Sequence, residues 1–182
     1  NVQGASDAGL IPMGLRDYQP VGDSQLRAAF EALWNTPLSN EPGPTVVEVM
    51  NAIHAGEVRG MYILGENPAM SDPDLTHARA ALGKLEHLVV QDLFVTETAQ
   101  FADVILPASA WPEKEGTVTN TNRQVQLGRA ALPLPGDAKP DWWIIQEIAN
   151  RFGLNWRYQH PQDVFAEMQQ GMHSFNHISW ER

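Results

Sequence analysis

Short apolar runs alternate with helical spacing through the middle of the chain. The runs lie at residues 61–64, 88–90 and 103–107, and each has the length of a strand buried within a sheet. Between them, residues 75–85 carry apolar side chains on one helical face, and residues 96–101 predict a shorter helix. Strands that alternate with helices pair in parallel through right-handed crossovers. The pattern therefore predicts an α/β fold, a doubly wound parallel sheet with helices on both faces.

Capping residues predict where the helices begin and end. Asp23 is the predicted N-cap of a first helix, and a second helix ends near Gly56. Asp72 is the predicted N-cap of the helix between the first two strands. Beyond the third strand, Asp141 is predicted to cap a strongly amphipathic helix, and another helix starts near Pro161.

We expect a single α/β domain over residues 1–182. Its predicted parts are an opening loop, helix and linker at residues 1–44, a ligand-binding core at residues 45–155, and a C-terminal helix and tail at residues 156–182. Residues 117–127 alternate loosely and predict a hairpin. The first nine residues are rich in turn formers and follow no initiator Met, so we expect a piece of a longer polypeptide.

Composition and charge exclude several classes of partner. The formal net charge of -10 would repel a phosphate backbone, so a nucleic-acid partner is not expected. No apolar run approaches the roughly 20 residues that a membrane-spanning helix needs, so we expect no membrane insertion. The chain starts with no export signal, which favours a cytoplasmic protein. It has no cysteine, so these residues supply no iron–sulfur ligand, disulfide or thiolate nucleophile.

The candidate binding residues come directly after the predicted strands. Ligands of open parallel sheets bind beyond the carboxyl ends of the strands, where backbone N–H groups point outward. Asn67 follows the first strand and offers both an amide donor and a carbonyl acceptor. Asp92 ends the second strand, and Lys114 lies in a charged loop after the third. The pattern therefore favours a polar, anionic ligand such as a nucleotide.

Each of these residues also has a purely structural interpretation. Asn67 fits a polar turn, Asp92 fits a cap for the segment that begins at Val95, and Lys114 fits a solvated surface lysine. His173 and His177 are four residues apart but have no carboxylate partner, so we expect no metal site there. The residue pattern alone leaves these alternatives open.

The order of the motifs resembles the molybdopterin oxidoreductase family, and most of all the catalytic alpha subunits of formate dehydrogenases. The resemblance covers residues 1 to about 170, and the combined order is specific although each motif alone is weak. The motifs are residues 1–5, 62–68, 90–94 with Thr96 and Thr98, 102–107, 113–117 with Asn122 and Arg123, and 141–142.

The resemblance implies a dinucleotide-binding domain that holds one half of a bis(molybdopterin guanine dinucleotide), or bis-MGD, cofactor. Such a cofactor carries molybdenum or tungsten, and the parent enzyme would interconvert formate and carbon dioxide by two-electron transfer. Asp92 would face the ribose or the guanine, Lys114 the anionic cofactor, and Asp141 the donor edge of the guanine. The full implied binding set is Gly65, Glu66, Asn67, Pro68, Gln91, Asp92, Thr96, Lys114 and Asp141.

The same resemblance assigns the chemistry to other parts of the parent enzyme. The metal ligand and the iron–sulfur ligands of such enzymes have no counterpart in this chain, so we expect no catalytic residue here and an inactive isolated piece. The expected partners are the rest of the catalytic subunit and electron-transfer subunits.

Two other functions compete with this interpretation. One is a cofactor-free relative that has a structural role in a respiratory electron-transfer complex. The other is an ordinary nucleotide-binding or acyl-transfer module, against which the missing glycine-rich fingerprint and the missing nucleophile elbow both argue.

Overall fold

A computed structural model describes residues 2–181 of the chain. The described chain divides into two compact units. The first, here called the sheet unit, comprises Pro44–Lys114 and Ala130–Trp156. The second, here called the hairpin unit, comprises the residues up to Gly43, Glu115–Arg129, and the residues from Arg157 onward. The prediction of a single domain with a core at residues 45–155 stays a prediction.

The helices and strands follow one another in the order in which the chain enters and leaves the two units. The helices are α1 (Val2–Asp7), α2 (Ser24–Trp34), α3 (Val46–Ala55), α4 (Pro68–Ser71), α5 (Leu75–Leu82), α6 (Asp141–Arg151) and α7 (Pro161–Gln169). The strands are β1 (Gly60–Leu64), β2 (His87–Asp92), β3 (Val104–Pro107), β4 (Gly116–Thr119) and β5 (Val125–Gly128). Short 3₁₀ turns lie at Arg16–Tyr18, Ala99–Phe101, Trp111–Glu113 and His173–Phe175.

Within the described residues, the sheet unit is built on a parallel sheet of strand order β1-β2-β3. Alternate side chains of the strands point to opposite faces. Ile63 and Val90 lie side by side in the register and belong to a buried cluster with Leu82 of α5. Tyr62 and Val89 are paired on the other face, which α6 covers in part. Parallel strands with helices on both faces confirm the predicted fold class.

Helix α3 packs on the outer side of α5 and extends the core of the sheet unit. Met50 and Ile53 of α3 bury their side chains against Ala81 of α5. Thr45 caps α3 reciprocally, because its hydroxyl accepts from the Glu48 N–H while the Glu48 carboxylate accepts from the Thr45 N–H at 2.7 Å. These contacts hold the helical layer against one face of the sheet and leave its carboxyl edge clear.

The hairpin unit contains β4 and β5, which pair antiparallel, so the predicted hairpin at residues 117–127 is confirmed. A small core of Phe165, Met172 and Phe175 lies in the same unit. None of the helices among residues 2–181 combines the length and the apolar character that crossing a membrane requires.

Three sequence predictions about helix ends are wrong. Residues 2–7 form the helix α1 and not a loop. Asp74, not Asp72, caps α5, because its Oδ1 accepts from the His77 N–H at 3.0 Å while Asp72 accepts from the Asp74 N–H. The N-cap of α6 is Pro140, and Asp141 is the first helical residue. The side chain of Asp141 is therefore not used as a cap.

The other predicted ends agree with the structure. Asp23 caps α2 by accepting from two backbone N–H groups, and Gly56 ends α3 in the left-handed region with a φ of 76°. Helix α7 starts at Pro161. The predicted helix at residues 96–101 is reduced to a 3₁₀ turn over its last three residues.

We expect an alkaline transition that depends on Tyr158 in the hairpin unit. Its hydroxyl donates to a carboxylate oxygen of Glu167, and burial together with this hydrogen bond raises the pKa of Tyr158 to about 12. A phenol whose pKa is higher in the folded state stabilises the fold fully below its ordinary pKa near 10. That contribution is lost as the pH rises from about 10 to about 12.

The measurement is the melting temperature of the chain between pH 9 and pH 12, followed by circular dichroism. The Tyr158→Phe variant should lose less stability than the unaltered chain over the upper part of this range. Equal slopes for the two proteins would show that Tyr158 titrates as it does in an unfolded chain.

Candidate functional site

The carboxyl ends of the three parallel strands lie along one edge of the sheet in the sheet unit. Backbone hydrogen bonds tie the segments that follow them. The Gly65 N–H donates to the Gln91 carbonyl at 2.9 Å, and the Ala108 N–H donates to the Asp92 carbonyl at 3.0 Å. The Lys139 N–H donates to the Pro107 carbonyl at 3.1 Å, which brings the start of α6 to the same edge. Residues far apart in sequence therefore converge at the place where open parallel sheets bind ligands.

A polar network at this edge joins three of the predicted site residues. The Gln91 side chain is fully buried, and its Nε2 donates to Asp141 Oδ1 at 2.7 Å. Lys114 Nζ forms an ion pair with the other oxygen, Asp141 Oδ2. The Lys114 and Asp141 side chains are 28% and 26% exposed. The network is therefore rooted in the protein interior and open to a ligand at its charged end.

Tyr62 completes the network, and the sequence analysis did not identify it. Its hydroxyl donates to Gln91 Oε1. Burial, and after it the negative charge of Asp141, raises the pKa of Tyr62 above its ordinary value, so the hydroxyl stays protonated and remains a donor near neutral pH. A period-two pattern could have revealed it, because Tyr62 and Gln91 point to the same face of the sheet.

The Asn67 side chain ties together the loops that follow β1 and β2. Its Oδ1 accepts from the Thr98 hydroxyl at 2.7 Å and from the Thr98 N–H at 3.1 Å, and its Nδ2 donates to Glu97 at 2.7 Å. Thr98 is fully buried, and its hydroxyl also accepts from the Ala69 N–H. Asn67 thus bonds within the protein through both ends of its amide, and its contact with a ligand stays a prediction.

Asp92 and Thr96 stabilise the loop after β2. Asp92 Oδ1 accepts from the Leu93 N–H at 2.6 Å and more weakly from the Phe94 N–H at 3.4 Å. Thr96 Oγ1 accepts from the Ala99 N–H at 3.2 Å at the start of the 3₁₀ turn. Asp92 Oδ2 has no hydrogen bond to any residue between 2 and 181, so this oxygen can accept from a ligand hydroxyl.

Gly65, Glu66 and Pro68 shape the loop after β1. Gly65 has a φ of +65°, which a residue with a Cβ adopts only at a cost. Glu66 is exposed, and Pro68 is the first residue of α4. The structure therefore gives Gly65 and Pro68 backbone roles at the ligand edge of the sheet, and the binding role of all three stays a prediction.

Replacing Gly65 with alanine should lower the free energy of unfolding by about 1 kcal/mol, because an L-residue is strained at this φ. A Cβ at Gly65 would meet nothing within 4 Å, so backbone strain is the only expected cost. Gly60→Ala, at the other end of β1, is the matched control. A Cβ at Gly60 would make ordinary contact, 3.6 Å from the His87 carbonyl oxygen. Urea unfolding of both variants checks this, and equal changes would contradict it.

Ser109 is a second residue that the sequence analysis did not single out. It follows β3 directly, its side chain is fully buried, and its Oγ has no hydrogen-bond partner among the described residues. Buried hydroxyls are nearly always hydrogen-bonded in native proteins. An unpartnered one at the ligand edge indicates a group that is supplied from outside the described chain.

Comparisons with known proteins agree with the family resemblance. A family model for molybdopterin oxidoreductases matches residues 3–151. The chain is 49% identical over 92% of its length to the putative formate dehydrogenase YrhE of Bacillus subtilis, covering 17% of that protein. It is 43% identical over its whole length to the F420-dependent formate dehydrogenase subunit alpha of Methanocaldococcus jannaschii, covering 27% of that protein.

A solved structure supports the same assignment at the level of the fold. Acetylene hydratase from Pelobacter acetylenicus superposes on 88% of this chain and 23% of its own chain with a TM-score of 0.60 and 23% sequence identity. The chain thus spans between about a sixth and about a quarter of the length of these relatives and of this neighbour. The sequence match, the motif order and the parallel sheet with its polar carboxyl edge together place the chain in the molybdopterin oxidoreductase family.

Proposed function

We propose that this chain holds one guanine dinucleotide of a bis-MGD cofactor within a formate dehydrogenase. The observation that carries the proposal is the network of Gln91, Asp141 and Lys114 at the carboxyl edge of the parallel sheet. This edge is where such sheets bind nucleotides, and the network presents an anion acceptor beside a cation. Membership of the family implies a molybdopterin cofactor with its metal.

The residues at this edge fit the chemistry of an anionic nucleotide. Lys114 supplies an ammonium group for a phosphate, and Asp141 and Asp92 supply carboxylate acceptors for a base and a ribose. The unpartnered hydroxyl of Ser109 is a further donor or acceptor for a bound group. A donor set of one cation, one hydroxyl and two carboxylates suits a ligand that carries phosphates, sugar hydroxyls and a base with N–H donors.

The division of labour follows from what the chain lacks. The bound cofactor would supply the two-electron chemistry at its molybdenum or tungsten ion. The chain has no cysteine, so its residues bind and orient the dinucleotide, and iron–sulfur ligands would belong to other parts of the parent. The name of the M. jannaschii relative, a subunit alpha, supports a parent that works with electron-transfer subunits.

Formate as the substrate is supported by the relatives. The B. subtilis and M. jannaschii proteins are both named formate dehydrogenases, and their identities of 49% and 43% extend over nearly the whole chain. The reaction would interconvert formate and carbon dioxide, with the two electrons leaving through the parent enzyme.

The test is a chemical analysis of the full-length polypeptide that contains this chain. It should contain molybdenum or tungsten, release a fluorescent pterin and GMP on acid treatment, and reduce a viologen dye when formate is added. A parent that contains neither the metal nor the pterin would reject the proposal and support a cofactor-free structural relative. A loaded parent that does not oxidise formate would reject the substrate and leave the cofactor assignment in place.

A further inference from the structure

We propose that Tyr62 is a positioning residue that makes the site selective for guanine. Its hydroxyl holds the carbonyl of Gln91, and the Gln91 amide in turn holds the Asp141 carboxylate in the orientation that meets the base. Tyr62 belongs to none of the motif positions that implied the binding set. This inference rests on the proposed function and deepens it, because it names the residue that sets the base preference of the same site.

The hydrogen bonds of the network all point toward Asp141. The Tyr62 O–H donates to Gln91 Oε1, Gln91 Nε2 donates to Asp141 Oδ1, and Lys114 Nζ donates to Asp141 Oδ2. Donors and acceptors that run in one direction polarise each other and strengthen the chain of bonds. The raised pKa of Tyr62 supports this direction, because a protonated phenol is the donor that Gln91 Oε1 needs.

Gln91 transmits the effect because it is buried and has few alternatives. Its side chain is inaccessible to solvent, so water cannot replace the Tyr62 hydroxyl at Oε1 without a rearrangement. Turning the amide over would place Oε1 against the Asp141 carboxylate, where two acceptors repel each other. Without the hydroxyl, Gln91 must either leave a buried carbonyl unpaired or move away from Asp141.

A held Asp141 can distinguish between bases. An ionised carboxylate has about four acceptor positions, and Gln91 and Lys114 use one on each oxygen. One position on each oxygen is left for a ligand. The Watson–Crick edge of guanine carries two adjacent N–H donors that match two such positions, whereas cytosine offers a single amino group. Selectivity then depends on Asp141 keeping its orientation.

A space-filling role for Tyr62 makes a different prediction. The ring lines an apolar cleft of about 930 Å³ between the sheet and α6, together with Val89 and Trp143. Tyr62→Phe keeps the ring in this cleft and removes only the hydroxyl. If the ring alone matters, this variant should bind ligand as the unaltered protein does.

The experiment uses the full-length polypeptide prepared without cofactor, with GMP and CMP as the probes in isothermal titration calorimetry. The unaltered protein should bind GMP more tightly than CMP. Tyr62→Phe should raise the Kd for GMP roughly tenfold, the effect of one hydrogen bond to a charged network, and leave the Kd for CMP nearly unchanged. Tyr18→Phe is the matched control, because it removes a hydroxyl in the hairpin unit, and it should change neither Kd.

A double-mutant cycle with Asp141→Asn tests the route through Asp141. If Tyr62 acts through the carboxylate, Tyr62→Phe should add little to the Kd for GMP once Asp141 is asparagine. An unchanged Kd for GMP in Tyr62→Phe would overturn this inference alone, and so would a full tenfold effect in the Asp141→Asn background. An unaltered protein that fails to bind GMP would overturn the proposed function, and this inference with it.

Discussion

Replacing Asp141 with alanine should remove most of the cofactor from the full-length enzyme. Asp141 accepts hydrogen bonds from the buried Gln91 amide and from Lys114, and the proposed function adds the guanine base. Hydrogen bonds to charged groups contribute about 1.5–3 kcal/mol each, so losing those to the base should lower the affinity at least tenfold. Metal and pterin per chain, measured on the purified variant, should fall to about a tenth of the unaltered level.

The control for this prediction lies at the opposite edge of the same sheet. Asp103 precedes β3, and its Oδ2 accepts from the Leu88 N–H at 2.7 Å. Asp103→Ala should destabilise the protein by about 1–2 kcal/mol, as the loss of one backbone cap does, without emptying the cofactor site. Thermal unfolding of the cofactor-free proteins separates the two effects. If Asp141→Ala loses stability and cofactor in the same proportion as Asp103→Ala, then Asp141 merely supports the fold.

Replacing Asn67 with alanine should cost about 2–3 kcal/mol of folding free energy. The substitution removes the acceptor for both the N–H and the hydroxyl of Thr98, which is fully buried at the loop after β2. A buried donor that loses its partner costs about 1–3 kcal/mol. Denaturant unfolding should therefore show a lower midpoint with an unchanged slope.

The control for Asn67 is Glu97→Ala. It removes only the exposed bond from Asn67 Nδ2 and leaves both bonds to Thr98, so stability should change little. A different outcome for Asn67→Ala would revise the site. If that variant unfolds like the unaltered protein but loses cofactor, Asn67 contacts the ligand, as its motif position predicts, and does not serve mainly as a tie between loops.

The parallel sheet could be predicted because its signal is local. Buried strands need continuous apolar runs, and the runs at residues 61–64, 88–90 and 103–107 coincide closely with β1, β2 and β3. The opening helix could not be predicted in the same way. Residues 2–7 contain turn-forming side chains, but the buried Asp7 bonds to Gln3 and to Arg123 at 2.8 Å, a partner 116 positions away. Long-range contacts of this kind override local preference.

The candidate site was predicted in outline because parallel strands end at a common edge. That rule identified Gln91 and Asp92, and the family resemblance added Lys114 and Asp141. It did not reveal how the groups divide their work. Asp141 was expected to be a helix cap as well as a binding residue, yet Pro140 takes the cap position and leaves the carboxylate for Gln91 and Lys114.

The residues missed by the sequence analysis have side chains whose role depends on their neighbours. Tyr62 lies within an apolar run and is typical of a strand, so its hydroxyl attracts attention only when Gln91 is seen beside it. Ser109 is a common loop residue, and its importance follows from complete burial without a partner among the described residues. Neither property can be inferred from residue type or spacing.

The central claim is that the carboxyl edge of this sheet holds the guanine end of the cofactor, and an experimental structure of the loaded full-length enzyme tests it most directly. We expect density for a guanine nucleotide within hydrogen-bonding distance of the Asp141 carboxylate, with Lys114 facing its phosphates and Asp92 facing its ribose. A loaded enzyme in which the nucleotide binds elsewhere, while Asp141 and Lys114 pair only with each other, would contradict the claim.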